Sequence, residues 1–119
     1  MHTFKEHKGP GWIGVDLDST LAVYEHWVAE DEIGEPVPKM MARVKRWIAD
    51  GRWIKIFTAR ADSPKAVAAI KIWLEKNGLP PLEITNVKDY LMDELWDDRV
   101  VAVERNTGVA LSPSRRGLE

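Results

Sequence analysis

Asp16 and Asp18 stand one residue apart at the end of an apolar run, in the stretch WIGVDLDSTLAVYE that covers residues 12–25. Trp12, Ile13, Gly14 and Val15 carry the chain toward a core, and a carboxylate taken there is costly unless it is paired or bound to a metal. Four more groups stand at comparable places: Thr58 closes WIKIFT, Lys88 follows LEITNV, and Asp97 with Asp98 closes ELWDD. Four carboxylates gathered at one edge would repel one another and raise each other's pKa values, a conflict that a divalent cation removes. An all-oxygen donor set with no cysteine and no histidine pair points to magnesium, which leaves positions for water and substrate phosphate. With a lysine, a hydroxyl and a free carboxylate beside the metal, the set suits phosphoryl transfer, where positioning and charge neutralisation supply most of the catalysis.

These groups meet only if the elements that carry them end on the same side. Residues 12–17 read as a fully buried strand, because the apolar residues run without alternation. The polar stretch EHWVAEDEIGEPVP is too irregular for a helix. Beyond it, Val37, Met40, Met41, Val44, Trp47 and Ile48 follow the spacing of one helix face, with Gly51 placed to stop it, so a helix is expected from about Pro38 to Asp50. WIKIFT reads as a second strand. DSPKAVAAIKIWLEKNG reads as a second helix with Ser63 as cap, Pro64 in the first turn, Gly78 at the stop, and Val67, Ile70, Trp73 and Leu74 as its apolar side. LEITNV, ELW and VVAV have strand length. Alternating strands and helices predict an α/β chain, a three-layer Rossmann-like fold with a mostly parallel sheet and helices on its faces. In such sheets ligands bind beyond the carboxyl ends of the strands, where every group named above falls. The segment DYLMDE after Lys88 is too short for a crossover helix and should recross the sheet as a loop or a single turn.

A chain of 119 residues with 45% hydrophobic composition suffices for one packed core, so we expect a single domain over 1–119, its core about 11–104 and a loosely ordered tail about 105–119. The net charge of −2 and the scatter of Lys and Arg give no basic nucleic-acid footprint. The absence of cysteine excludes disulfides, zinc–thiolate centres and thiol nucleophiles, and fits a reducing compartment. The start, MHTFKEHKGPG, lacks an apolar signal core, and no apolar run approaches the roughly 20 residues of a membrane helix. The expectation is a soluble cytoplasmic protein with no membrane partner; a homo-oligomer is compatible with it.

Taken together, VDLDSTL resembles the first motif of the haloacid dehalogenase-like (HAD) phosphohydrolases, in which an apolar strand ends in Asp-x-Asp-x-Thr. IKIFTAR resembles their second motif, Lys88 in TNVKD the third, and LWDDR the Asp-Asp form of the fourth. The resemblance covers residues 12–103 and is closest to the small capless members, including phage-encoded ones. It implies a magnesium-dependent phosphatase in which Asp16 is the nucleophile that forms an aspartyl-phosphate, and Asp18 the acid that protonates the leaving oxygen and later activates water. Thr58 and Lys88 would hold the phosphoryl oxygens, with Ala59 and Arg60 beside them. Asp98 would complete the magnesium site with Asp16 and the backbone carbonyl of Asp18, and Asp97 would be a direct or outer ligand. The substrate would be a nucleotide, a nucleic-acid end or another phosphoester. Neither gap between motifs can hold a cap domain, and residues 21–35 can form only a short flap.

Plainer readings stand beside these. An Asp-x-Asp is often a solvated turn, Thr58 could be a helix cap, and Lys88 a surface residue. Arg60 and Arg99 could pair with surplus carboxylates or contact substrate. Tyr24, His26 and Trp27 fall in the flap, where Trp27 is expected to pack under the loop. Trp12, Trp47, Trp53, Trp73 and Trp96 read mostly as core or helix-face residues. Two other classes use similar groups: a receiver-like signalling domain that holds an aspartyl-phosphate, and an inactive module that keeps only the metal site. A receiver carries its phosphoacceptor after the third strand, and TNV has no aspartate before Lys88.

Overall fold

The computed structural model describes residues 11–113; residues 1–10 and 114–119, which hold most of the amino-terminal stretch and the end of the tail, lie outside the described residues. Four strands, β1 (Trp12–Asp16), β2 (Ile54–Phe57), β3 (Glu83–Thr85) and β4 (Met92–Trp96), form one sheet in the order β3-β2-β1-β4. Every pairing is parallel, with Asp16 beside Phe57, Phe57 beside Thr85 and Val15 beside Trp96. The strands therefore finish together, and the groups that follow them share one edge.

Helix α1 (Pro38–Ala49) buries Met40, Met41, Val44 and Trp47. It stops at Gly51, whose φ of +81° is open to glycine without steric cost, while the Arg52 N–H bonds back to the Trp47 carbonyl at 2.9 Å. Helix α2 (Pro64–Lys76) starts under Ser63, whose hydroxyl accepts from the Ala66 N–H at 3.1 Å, and buries Ala66, Ile70, Trp73 and Leu74. Both helices pack with Ile13, Val15, Ile54 and Ile56 in one core cluster. Those four alternate with Trp12, Gly14, Lys55 and Phe57 along their strands, so both helices cover the same face.

The expected three layers are thus two among the described residues, and strand order gives the reason. Moving from β1 to β2 to β3 in one direction, right-handed crossovers put α1 and α2 on one face; the return from β3 past β2 and β1 to β4 must cross the other. It does so as the loop Asn86–Leu91, as expected for so short a segment, although Met92, Asp93 and Glu94 already belong to β4. The loop is fastened to that face at Asp89, which accepts from Trp12 Nε1 at 2.8 Å and pairs with the buried Lys55 at 3.7 Å. Lys55 also lies 4.4 Å from the Trp12 ring and 3.4 Å from Glu83.

Three other expectations change. VVAV is not a strand: only Val103 pairs, in an isolated antiparallel bridge with Ala110. The first part of the tail is correspondingly ordered as a small hairpin, with Leu111 N–H on the Ala102 carbonyl at 2.7 Å and Glu104 N–H on the Val109 carbonyl at 2.8 Å. Trp53 lies outside β2 and is exposed, unlike the buried Trp12, Trp47 and Trp73. No helix of the described residues is long and apolar enough to cross a membrane.

Candidate functional site

Beyond Asp16 the chain makes a tight turn in which the Leu17 carbonyl accepts from the N–H groups of Thr20, Leu21 and Ala22. Leu17 is fully buried, so it anchors the turn while Asp16 and Asp18 on either side stay partly accessible. Ser19 takes φ +74° here, a left-handed conformation that costs a non-glycine residue of order 1 kcal/mol. The turn brings Thr20 under Asp16, to which its hydroxyl donates at 3.2 Å, with Asp98 Oδ1 at 3.5 Å.

Asp16, Asp97 and Asp98 each offer an oxygen within 4.8 Å of the others. This all-carboxylate set fits a hard divalent cation such as magnesium. Burial, then repulsion from Asp97, pushes the Asp16 carboxyl up to about 7, with Asp98 and Asp18 adding to the rise and the Thr20 hydroxyl opposing it. A cation placed among these oxygens would reverse that balance.

Asp18 goes elsewhere. Its two oxygens accept from Arg60 Nε at 2.9 Å and Nη2 at 3.0 Å, a bidentate pair with a buried guanidinium. Its carboxylate is outside the acidic trio. Arg60 sits in a single 3-10 turn, Ala59–Asp62, capped by Thr58, whose hydroxyl oxygen accepts from the Arg60 N–H at 3.1 Å. Thr58 therefore caps a helical turn and also lines the cleft, its own O–H remaining a donor.

The segment between β1 and α1 closes over this arrangement as a flap. Its base is zipped by Val23 N–H to Glu35 O at 2.8 Å and Val37 N–H to Leu21 O at 2.7 Å, and a Cβ on Gly34 would collide with the Val23 carbonyl. Its tip is held by Arg60, whose Nη1 donates to Ala29 O at 3.1 Å and Glu30 O at 2.8 Å. Ser63 donates to Glu30, and Trp73 Nε1 to Gly34 O at 2.9 Å. Trp27 does not pack under the loop: it is 58% exposed and stands 5.1 Å over the Arg60 guanidinium. The flap is too polar to supply an apolar bed, and the guanidinium offers a planar surface instead.

A cleft of about 440 Å³ lies between flap and strand ends. Asp16, Asp18, Thr58, Ala59, Arg60 and Asp97 all line it, with Tyr24, Trp27 and Arg99. Asp98 enters the acidic trio from the rim. One expected residue is not brought in: Lys88 is exposed on the crossing loop and does not line the cleft; the flap's His26 lines a smaller hollow beside it. Asn86, two residues before Lys88, lines the cleft instead. Asn86 carries no signal in the sequence, because an asparagine after a strand is ordinary turn chemistry, whereas Thr20 is the threonine of the Asp-x-Asp-x-Thr pattern, to which no role was assigned. No family model matches the sequence, and neither a curated protein nor a solved structure is significantly similar to it.

Proposed function

We propose that the chain is a magnesium-dependent phosphomonoester hydrolase working through an aspartyl-phosphate on Asp16, in the manner of the haloacid dehalogenase-like enzymes its motifs resemble. The observation that carries this reading is the convergence of Asp16, Asp97 and Asp98 within 4.8 Å at the strand ends, beside a cleft that also holds Asp18 and Thr58. Magnesium, held by the three carboxylates, would neutralise the phosphate and keep Asp16 ionised. An Asp16 oxygen attacks phosphorus as the bond to the leaving oxygen breaks, and Asp18 supplies that oxygen with a proton. Water then attacks the phosphorus of the acyl phosphate, Asp18 takes its proton, and Asp16 is released with inorganic phosphate. The Thr58 hydroxyl and the Asn86 amide are among the donors that line the cleft and would hold the phosphoryl oxygens, with the Arg99 guanidinium also on its lining. Lys88 can join them only if the crossing loop turns it inward.

Because both Asp18 oxygens are held by Arg60, a second reading has its own support: a receiver-like or inactive module that keeps the metal and the phosphoryl group without turnover. Hydrolysis of p-nitrophenyl phosphate over a magnesium titration separates them. The enzyme reading predicts multiple turnovers that need magnesium and vanish in Asp16→Asn; at most one phosphate released per chain would favour the module.

A further inference from the structure

The cleft that holds Asp16 is lined, among the described residues, by two cations, Arg60 and Arg99. Arg60 is already committed: its Nε and Nη2 donate to Asp18, its Nη1 donates to the carbonyls of Ala29 and Glu30, and the Trp27 ring stands over it. Arg99 differs. Its backbone N–H donates to Asp97 Oδ1 at 2.8 Å, which ties the residue to a member of the acidic trio. Its guanidinium, exposed at the cleft, makes no hydrogen bond or ion pair with a described residue, so its five N–H donors remain available there.

The charges of the site say what such a cation is for. Three carboxylates around one divalent cation leave the metal site negative, and the charge of Arg60 is cancelled by Asp18. A phosphomonoester dianion entering beside Asp16 would meet net repulsion, which the neutral Thr58 hydroxyl and Asn86 amide do not offset. Lys88, which the resemblance offers for this role, is exposed on the crossing loop and lies off the cleft. We propose that Arg99 is the cation of the phosphoryl site, its guanidinium forking onto two non-bridging oxygens of the phosphoryl group and leaving the third for the metal. A planar guanidinium suits this because its paired N–H groups match two oxygens of one phosphate. The turn after β4 would then carry Asp97 and Asp98 for the metal and Arg99 for the anion. The effect on turnover rests on the phosphatase reading; the binding of phosphate does not.

The test is the affinity for inorganic phosphate in saturating magnesium, measured by isothermal titration calorimetry on wild type, Arg99→Gln, Arg99→Lys, Lys88→Gln and Lys71→Gln. The last removes a charge from an exposed α2 position away from the cleft. Arg99→Gln keeps the backbone N–H that Asp97 accepts, so its melting temperature should respond to magnesium with the wild-type midpoint. Phosphate affinity should fall at least about tenfold in Arg99→Gln, return in part in Arg99→Lys, which keeps the charge without the fork, and hold in Lys71→Gln. With p-nitrophenyl phosphate, kcat/KM should fall about a hundredfold in Arg99→Gln and far less in Lys88→Gln. No phosphate binding by wild type, an unchanged affinity in Arg99→Gln, an equal fall in Lys71→Gln, a larger fall in Lys88→Gln, or a shifted magnesium midpoint in Arg99→Gln would each overturn the assignment. If phosphate binding depends on Arg99 as expected while wild type hydrolyses nothing, Arg99 stands and the phosphatase reading falls. If wild type and Arg99→Gln hydrolyse equally well, the phosphatase reading stands and Arg99 falls.

Discussion

A carboxyl at Asp16 that titrates near 7 holds its proton across a range where the unfolded chain, at about 3.8, has already released it. Proton uptake by the folded form then favours folding at low pH, and this contribution is lost as pH rises from about 4 to about 7. In EDTA, wild type should lose more stability between pH 5 and pH 8 than Asp16→Asn does, as read by urea unfolding. Equal losses would mean that Asp16 is not the strained carboxyl. Asp98→Asn removes one repelling charge from the trio at nearly constant shape, so it should melt higher than wild type in EDTA. Magnesium at a hundredfold excess over its dissociation constant adds about 2.7 kcal/mol to a protein that binds it only when folded. Asp98→Asn should gain much less, and a wild-type response in that variant would remove Asp98 from the metal site.

The flap and the 3-10 turn act as one element because Arg60 ties them: two bonds to Asp18, two to flap carbonyls and a ring above it. Breaking a buried ion pair by removing one partner costs 3–5 kcal/mol, but Asp18 is part-exposed, so Arg60→Gln should cost about 2–3 kcal/mol. Arg60→Lys keeps the charge and loses the fork, so it should recover part of that stability while leaving the flap loose. Limited proteolysis should cut residues 24–33 faster in both variants than in wild type; unchanged cleavage would show that the remaining ties to Ser63 and Trp73 suffice. In the proposed mechanism Asp18 exchanges protons with the leaving group and water, so Asp18→Asn should slow poor leaving groups more than good ones, compared as aryl phosphates of differing leaving-group pKa; equal losses would count against that role.

Across the whole molecule, the local pattern was readable where one physical cause acted alone. The α1 face, the Ser63 cap and the glycine stops at Gly51 and Gly78 follow from spacing and backbone sterics, and they appear where expected. VVAV failed because strand propensity needs a partner strand, and the sheet ends at β4. The second helix layer failed because Lys88 to Met92 leaves no room for a helix on the far face, where Trp12, Lys55 and Asp89 fill the space instead. In the site, the acids were legible as a set, while the Arg60 bridge from Asp18 to the flap joins residues some 30 to 42 positions apart that no local pattern connects. Lys55, between Ile54 and Ile56 in β2, is a buried cation that strand propensity alone does not reveal. Its partners Glu83 and Asp89 are exposed, and the Trp12 hydrogen bond comes first among the causes that hold Asp89 below the usual carboxylate range. Lys55→Met, which keeps the volume and leaves those acids in water, should change stability by less than about 1 kcal/mol in urea unfolding. A loss beyond about 3 kcal/mol would show that the cation itself secures the crossing loop.

The central claim is that Asp16 carries the phosphoryl group with magnesium present, and the most direct measurement is to trap it. Asp18→Asn, mixed with magnesium and an aryl phosphate of good leaving group and then quenched in acid, should accumulate a hydroxylamine-labile phosphoryl group that peptide mapping by mass spectrometry places on Asp16. Omission of magnesium should abolish it. A phosphoryl group on another residue, or none at all while wild type turns over the same substrate, would contradict the account.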